Sequence, residues 1–169
     1  MYLIRVSTVS NLGKGHINRC LKIRKTINSH FIWFVDKGTK RNLSKILKDE
    51  IVEEKNRSSL IKTQQYSIDH KVKCIIIDNP EIKNLKKKAI ANKKPVVMLV
   101  DKYFRMKNVL SICMHPIDIN KKNFLSGFQY IPFIKKKQKK STRNQIKNIL
   151  VSFGNIDSKG LTEKVIKIL

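Results

Sequence analysis

Short apolar runs alternate along this chain with longer amphipathic stretches. The apolar runs predict strands at residues 2–7, 31–35, 73–78 and 95–101. The amphipathic stretches between them predict helices at 16–28, 41–48, 58–72 and 80–92, and a short strand fits 50–54. This alternation predicts an α/β fold, a mostly parallel sheet with helices on both faces.

Two of the predicted strands stop at an aspartate. Residues 73–78 carry three consecutive isoleucines before Asp78, which is typical of a central strand covered on both faces. The strand at 95–101 ends in the same way, at Asp101. Because the carboxyl ends of parallel strands line the ligand crevice of open α/β sheets, we expect both aspartates to lie where ligands bind.

The pattern weakens after Asp101, through 109–114 and on to 133. The segment 135–143, KKKQKKSTR, has no apolar anchor and predicts a solvated linker. A strand at 146–153, a tight loop at 154–157 and the start of a helix at 161–169 then repeat the order of residues 2–28. We expect one domain at 1–134, a basic linker at 135–144 and the first βα unit of a truncated second domain at 145–169.

The loop between the first strand and the first helix carries the most informative motif. It contains Asn11, Gly13 and Gly15 before the helix begins. Glycines adopt backbone angles closed to other residues and let a ligand approach the main chain. The free N–H groups of the helix start favour a phosphate or a sugar oxygen. The spacing is neither GxGxxG nor a GK[ST] P-loop, so it supports no dinucleotide or Walker-type site.

His16 follows this loop and is the candidate catalytic residue. In the first turn of a helix, the positive dipole end disfavours the imidazolium form and favours a ring that can accept a proton. Such a ring suits a general base, although a polar residue at a helix start explains His16 equally well. Arg19, one turn on, could hold an anionic group, but pairing with a carboxylate is the favoured interpretation.

The remaining histidines and the cysteines give no metal-ligand spacing. His30, His70 and His115 are expected at the surface or in turns. Cys20 lies beside Leu21 on the predicted helix and is expected in the core. The number of cysteines is odd and no CxxC pair is present, so we expect neither disulfides nor a metal site, and no cofactor is expected. No apolar run approaches the roughly 18 residues needed to span a bilayer, so we expect a soluble cytoplasmic protein without membrane contact.

The charge is strongly positive, at +25 over 169 residues. Such a balance suggests nucleic acid as a partner, but the chain has 30 Lys against 7 Arg, with 24 Ile and 14 Asn. Nucleic-acid readers favour Arg for its bidentate, stacking side chain. Lys, Ile and Asn are the residues of A/T-rich codons, so coding drift is the favoured explanation and a nucleic-acid partner is not expected beyond non-specific binding.

Several segments together resemble a known family, the UDP-2,4-diacetamido-2,4,6-trideoxy-β-L-altropyranose hydrolases of pseudaminic acid biosynthesis. These enzymes are relatives of the GT-B glycosyltransferases. The matching segments run in order from residue 5 to residue 162. They are Arg5, the GKGHINRCL loop at 13–21, IIID at 75–78, the strand ending at Asp101, GFQYI at 127–131 and ILVSFGNIDSKGLT at 149–162.

The resemblance implies two Rossmann-like domains with the active site between them. It places the family's catalytic histidine on His16, with water attacking the anomeric carbon of a UDP-sugar. The implied substrate contacts are Asn11, Gly13, Gly15, Arg19, Asp78, Asn79 and Asp101 in the first domain, and Gly154, Asn155 and Asp157 in the second glycine loop. The second domain of the family grips the UDP.

The sequence also departs from the family's pattern. Ser7 stands where the family has Asp, Asn79-Pro80 where it has His-Tyr, Lys102 where a second Asp is expected, and Asn155 where the second loop has Gly. Binding energy from the nucleotide supports the chemistry at the sugar, so we expect this chain alone not to turn over substrate. A GT-B-type transferase using a UDP-sugar, and a repurposed basic module that binds anions without catalysis, stay open as alternatives.

Overall fold

The fold is built on a seven-stranded, parallel sheet. The computed structural model describes residues 1–8, 15–82, 94–103, 109–119, 121–132, 149–152, 157 and 159–168. The strands are β1 Tyr2–Val6, β2 Phe31–Val35, β3 Glu50–Glu53, β4 Cys74–Asp78, β5 Val96–Val100, β6 Leu110–Cys113 and β7 Phe124–Ser126. Their order in the sheet is β3-β2-β1-β4-β5-β6-β7, and each neighbouring pair is parallel.

Apolar side chains cover both faces of this sheet. Leu3, Phe34 and Ile77 belong to one core cluster, which Tyr66 of helix α3 (Ile61–Asp69) packs against. Ile4 and Trp33 point to the opposite cluster, which is covered by helices α1 (Gly15–Thr26) and α2 (Lys40–Leu43). Each fully buried apolar side chain of this size contributes about 1.5–3 kcal/mol. The predicted α/β, Rossmann-like architecture with helices on both faces is therefore confirmed.

The strand order reverses between β1 and β4. The chain moves outward from β1 to β3 and then returns to start β4 on the other side of β1. The backbone N–H of Ser7 donates to the carbonyl of Asp78 at 3.0 Å, which holds the two strand ends together. At such a reversal the crossover connections leave on opposite faces of the sheet, so a crevice opens outside the carboxyl ends of the strands.

The predicted strands agree with the structure more closely than the predicted helices do. The strands at 2–7, 31–35, 50–54, 73–78 and 95–101 are found within one or two residues. The helices at 41–48 and 58–72 are shorter, since α2 is Lys40–Leu43 and α3 is Ile61–Asp69. The helix predicted from 80 to 92 lies mostly outside the described residues, and 80–82 form a turn.

The second half of the chain holds two strands that the hydrophobic pattern did not predict, β6 and β7. Both are short, and their burial alternates or fades along the strand, so they lack a continuous apolar run. They extend the parallel sheet beyond β5, and a 3₁₀ turn, Phe128–Tyr130, follows β7.

The segment predicted as the start of a second domain is only partly described. The predicted linker at 135–144 lies outside the described residues. Residues 149–152 form neither strand nor helix, and Leu150 is 91% exposed. The strand predicted at 146–153 is therefore not found in the part of it that the structure describes. The predicted helix is present as α4 (Leu161–Ile166), which buries none of its residues. Among the described residues, no helix is long and apolar enough to cross a membrane.

Candidate functional site

His16 lies in the first turn of α1, against the carboxyl end of β4. Its Nδ1 atom is 2.7 Å from Oδ1 of Asp78, the last residue of β4. The Asp78 side chain is only 1% exposed, whereas that of His16 is 11% exposed. Val6 and Asp78 are register partners of neighbouring strands, so this pair sits where the strand order reverses.

Arg19 binds the same carboxylate with two nitrogens. Its Nε donates to Asp78 Oδ2 at 2.9 Å and its Nη2 to Oδ1 at 2.7 Å, a bidentate pair that fixes the plane of the carboxylate. Burial disfavours the guanidinium charge, but Asp78 and then Asp101 outweigh it and raise the pKa of Arg19. The carboxylate pairing favoured for Arg19 from the sequence is what the structure contains.

The proton on His16 is assigned from these contacts. Nδ1 lies 2.7 Å from Asp78 Oδ1 and 2.8 Å from Arg19 Nη2. Both oxygens of Asp78 accept from Arg19, so a carboxylate lone pair faces Nδ1, and we assign the ring proton to Nδ1, donating to Oδ1; a bare Nδ1 would instead accept the second N–H of Arg19 Nη2. In the neutral ring Nε2 then carries a lone pair and can accept a proton. A carboxylate that holds a histidine in this tautomer is the arrangement of hydrolytic triads.

Asp101 joins this group more loosely. Arg19 Nη1 donates to its Oδ1 at 3.3 Å, and the Asp101 side chain is 58% exposed. The same Nη1 lies 3.9 Å from the sulfur of Met114, the residue after β6. Arg19 therefore links the ends of β4, β5 and β6, and the structure brings both predicted aspartates to one guanidinium.

Cys20 closes the group from the core side. Its Sγ lies 3.8 Å from Asp78 Oδ2 and the residue is completely buried. Burial, with Asp78 adding to it, raises the pKa of this thiol well above its usual range. A buried thiol kept in its neutral form is a poor nucleophile, so the core role predicted for Cys20 is confirmed.

The glycine loop is described only at its end. Asn11 and Gly13 lie outside the described residues. Gly15 is the first residue of α1 and its φ is not in the left-handed region, so the backbone freedom expected of it is not used. A Cβ built on Gly15 meets no atom of the described residues within 4 Å.

Two candidate substrate contacts use their polar side chains to hold the backbone of the protein. Asn79 is the first. The residue is 1% exposed, its Nδ2 donates to the carbonyl of Arg57 at 2.8 Å, and its Oδ1 accepts from the backbone N–H of Glu81 at 3.0 Å. The amide therefore ties the loop after β4 to the loop before α3, and it presents no open surface to a ligand.

Asp157 is the second. Its carboxylate accepts the backbone N–H groups of Leu161 and Thr162, at 2.9 and 2.7 Å, and so caps α4. Hydrogen bonds from the Thr162 hydroxyl and backbone lower the pKa of Asp157. Its neighbours in the second glycine loop, Gly154 and Asn155, lie outside the described residues.

A buried ion pair that received no role from the sequence organises the same edge of the sheet. Arg5 in β1 is completely buried, and its Nη2 donates to Asp36 Oδ1 at 2.8 Å. The other oxygen of Asp36 accepts the backbone N–H of Thr8 at 2.7 Å, at the start of the loop that leads to α1. Two features of the sequence indicate such a pair, an arginine inside an apolar strand and an aspartate directly after the next strand.

The three histidines expected at the surface or in turns, His30, His70 and His115, are exposed. In the described part of the chain, no cluster of His, Cys, Asp or Glu side chains has the composition of a metal site. Comparisons with protein-family models, with curated proteins and with solved structures found no match to this chain.

Proposed function

We propose that the group formed by His16, Arg19 and Asp78 is the catalytic site of a nucleotide-sugar hydrolase, which releases UDP from a UDP-linked diacetamido-trideoxy sugar. The observation that carries the proposal is the 2.7 Å contact between His16 Nδ1 and Asp78 Oδ1, at the carboxyl edge where the strand order reverses. The resemblance of the loop at 13–21 to the hydrolase family supplies the substrate class. The proposal includes the GT-B arrangement of two domains and a cytoplasmic location.

In this mechanism His16 acts on a water molecule. Nε2 takes a proton from the water as its oxygen attacks the anomeric carbon of the sugar. The bond between that carbon and the diphosphate oxygen breaks, and the bonding electrons leave with UDP. Asp78 keeps the proton of the ring on Nδ1 and stabilises the imidazolium that forms. Arg19 holds Asp78 in place and is a positioning residue.

The start of α1 is the place that the proposal gives to the substrate. A phosphate or sugar oxygen in front of the α1 N-terminus would meet free backbone N–H groups and the positive end of the helix dipole. His16 belongs to the same first turn, so a ligand bound there lies next to its ring.

The departures from the family bear on which sugar is bound. Where the family has Tyr, this chain has Pro80, and the preceding Asn79 is buried against the loop. Where it has an early Asp, this chain has Ser7, which is buried with its Oγ 3.4 Å from Asp36. The Asp36 carboxylate beside Ser7 is held by Arg5 and by the backbone N–H of Thr8.

The test measures the rate at which the protein, expressed from its complete coding frame, releases UDP from the UDP-diacetamido sugar. His16→Gln should reduce the rate by at least about 100-fold, the usual contribution of a positioned general base. His115→Gln is the matched control, because His115 is exposed and lies outside the group. Unchanged turnover in His16→Gln would disprove the proposal. Turnover that requires an added sugar or lipid acceptor would assign a transferase instead.

A further inference from the structure

We infer that the opposite face of the sheet edge carries a second binding site, for the phosphate or carboxylate group of a small polar molecule. A cavity of about 430 Å³ opens there. Cavities that bind small ligands start at about 300 Å³. Its walls are formed by Asp36, Lys37, Asn56, Arg57, Ser58 and Glu81, which follow β2, β3 and β4.

The alternation of side chains along the strands separates this cavity from the His16 group. Ile4 and Val6 of β1 point to the face covered by α1, and Arg5 between them points to the other face. Asp78 is on the α1 face with His16, whereas Asn79 turns to the loop of Arg57. A ligand in the cavity therefore binds on the α3 side of the edge, independently of the proposed hydrolase site.

Arg5 holds the cavity walls from below. It is completely buried and contacts three of the lining residues: Asp36 through its carboxylate, and Asn56 and Arg57 through their carbonyls. The Arg57 carbonyl also accepts from Asn79 Nδ2. These contacts fix the backbone of the walls before a ligand arrives, which lowers the entropy lost on binding.

Lys37 and Arg57 supply the positive charge of the cavity wall, and Asp36 and Glu81 supply its negative charge. Asp36 is 5% exposed, and its oxygens already accept from Arg5 and Thr8. The nearest atoms of Arg57 and Glu81 are 3.8 Å apart on half-exposed side chains, which is a weak pair. Lys37 is exposed and makes no ion pair with the part of the chain that the structure describes. Lys37 and Arg57 can therefore bind one acidic group between them.

Arg57 is well suited to a test by mutation. Its structural contacts with Arg5 and Asn79 use the backbone carbonyl, so Arg57→Ala removes the guanidinium and keeps them. The test variant is Lys37→Ala/Arg57→Ala. The control is Arg41→Ala/Lys45→Ala, which removes the same two charges from exposed positions of and after α2. This control matters because a net charge of +25 attracts anions everywhere.

The experiment is a ¹H–¹⁵N NMR titration of the protein with inorganic phosphate, with UMP and with glucuronate in separate series. We expect saturable shifts at the amides of Lys37, Arg57 and Ser58, and the series that saturate tell a phosphate ligand from a carboxylate ligand. Because the double variant loses these charge-assisted hydrogen bonds, the affinity of Lys37→Ala/Arg57→Ala should be lower by about tenfold or more. The control double variant should bind as wild type does.

Two results would overturn the inference. One is a set of linear, unsaturable shifts spread over many lysines in all three series. The other is an equal loss of affinity in the test and control double variants. Either leaves the hydrolase proposal untouched, because UDP release depends on His16 and this titration does not.

Discussion

Both oxygens of Asp78 bind Arg19, at 2.9 Å from Nε and 2.7 Å from Nη2, in a place where the carboxylate is almost free of solvent. The same carboxylate also receives His16 Nδ1. One buried side chain therefore sets the position of the two residues that the proposed chemistry uses.

Asp78→Asn should abolish UDP release and also weaken the fold. An amide cannot neutralise Arg19, and breaking a buried ion pair costs about 3 kcal/mol. The amide also no longer fixes the tautomer of His16. In hydrolytic triads the same change lowers turnover by about 10⁴-fold. Thermal melting identifies the temperature range in which the variant is folded, and turnover is measured within it.

Asp69→Asn is the control for this variant, because Asp69 is exposed at the end of α3, where its carboxylate accepts from Gln65 Nε2. It should match wild type in both measurements. A folded Asp78→Asn protein with wild-type turnover would contradict the role given to Asp78.

Glu54 caps α3 from the loop after β3, and Glu54→Gln should lower stability by about 1–3 kcal/mol. The residue is 1% exposed, and Oε1 accepts both the backbone N–H and the hydroxyl of Thr63, at 2.7 and 2.6 Å. Oε2 accepts the Ser59 hydroxyl and the backbone N–H of Lys62, at 3.1 and 3.2 Å, so a glutamine must turn its NH₂ toward one of these two pairs of donors. Urea unfolding followed by the fluorescence of Trp33 measures the change, with exposed Glu50→Gln as the control. Equal unfolding midpoints in the two variants would show that the cap contributes nothing.

Asp49 should make stability depend on acid. Burial opposes its charge, but hydrogen bonds from Arg24 and Trp33 outweigh it and lower the pKa of Asp49. A folded-state pKa below the unfolded value stabilises the protein above the unfolded value, and this contribution is lost as the pH falls through the folded one. The difference in unfolding free energy between wild type and Asp49→Asn should be full at pH 7 and decline below about pH 4. A difference that stays constant from pH 7 to pH 3 would contradict this.

Cys20 should resist alkylation in the folded protein. It has no exposed surface, and burial raises its thiol pKa. Iodoacetamide treatment followed by peptide mass spectrometry should find Cys20 unmodified without urea and fully modified in urea. If Cys20 reacted at the same rate in both conditions, the side chain could not lie beneath Asp78 as described.

The sequence predicted the centre of the sheet better than its edge. β2 and β5 are continuous apolar runs, β4 is one up to its final Asp78, and β1 is interrupted only by Arg5, because both faces of these strands are covered; such runs are visible without a structure. β6 has only every second residue buried, and β7 has one buried residue in three. Their place in the sheet comes from pairing with β5 and with each other, which is a tertiary effect.

The site was predicted by position and not by contact. Strand ends placed Asp78 and Asp101 at the carboxyl edge, and the helix start placed His16 there. The sequence did not indicate that Asp78, 62 residues away, would bind His16, because that contact depends on strand register and side-chain direction. Arg5 was named only in the family resemblance and its ion pair was not predicted, because the sequence does not show which carbonyl and carboxylate groups surround it.

The most direct test of the account is the protonation of the His16 ring, measured by long-range ¹H–¹⁵N NMR on the folded protein in neutral solution. The account predicts a proton on Nδ1 and a bare Nε2 in the neutral ring, and loss of this preference in Asp78→Asn. A proton on Nε2 with a bare Nδ1 would contradict it, because His16 could then neither donate to Asp78 from Nδ1 nor take a proton from water at Nε2.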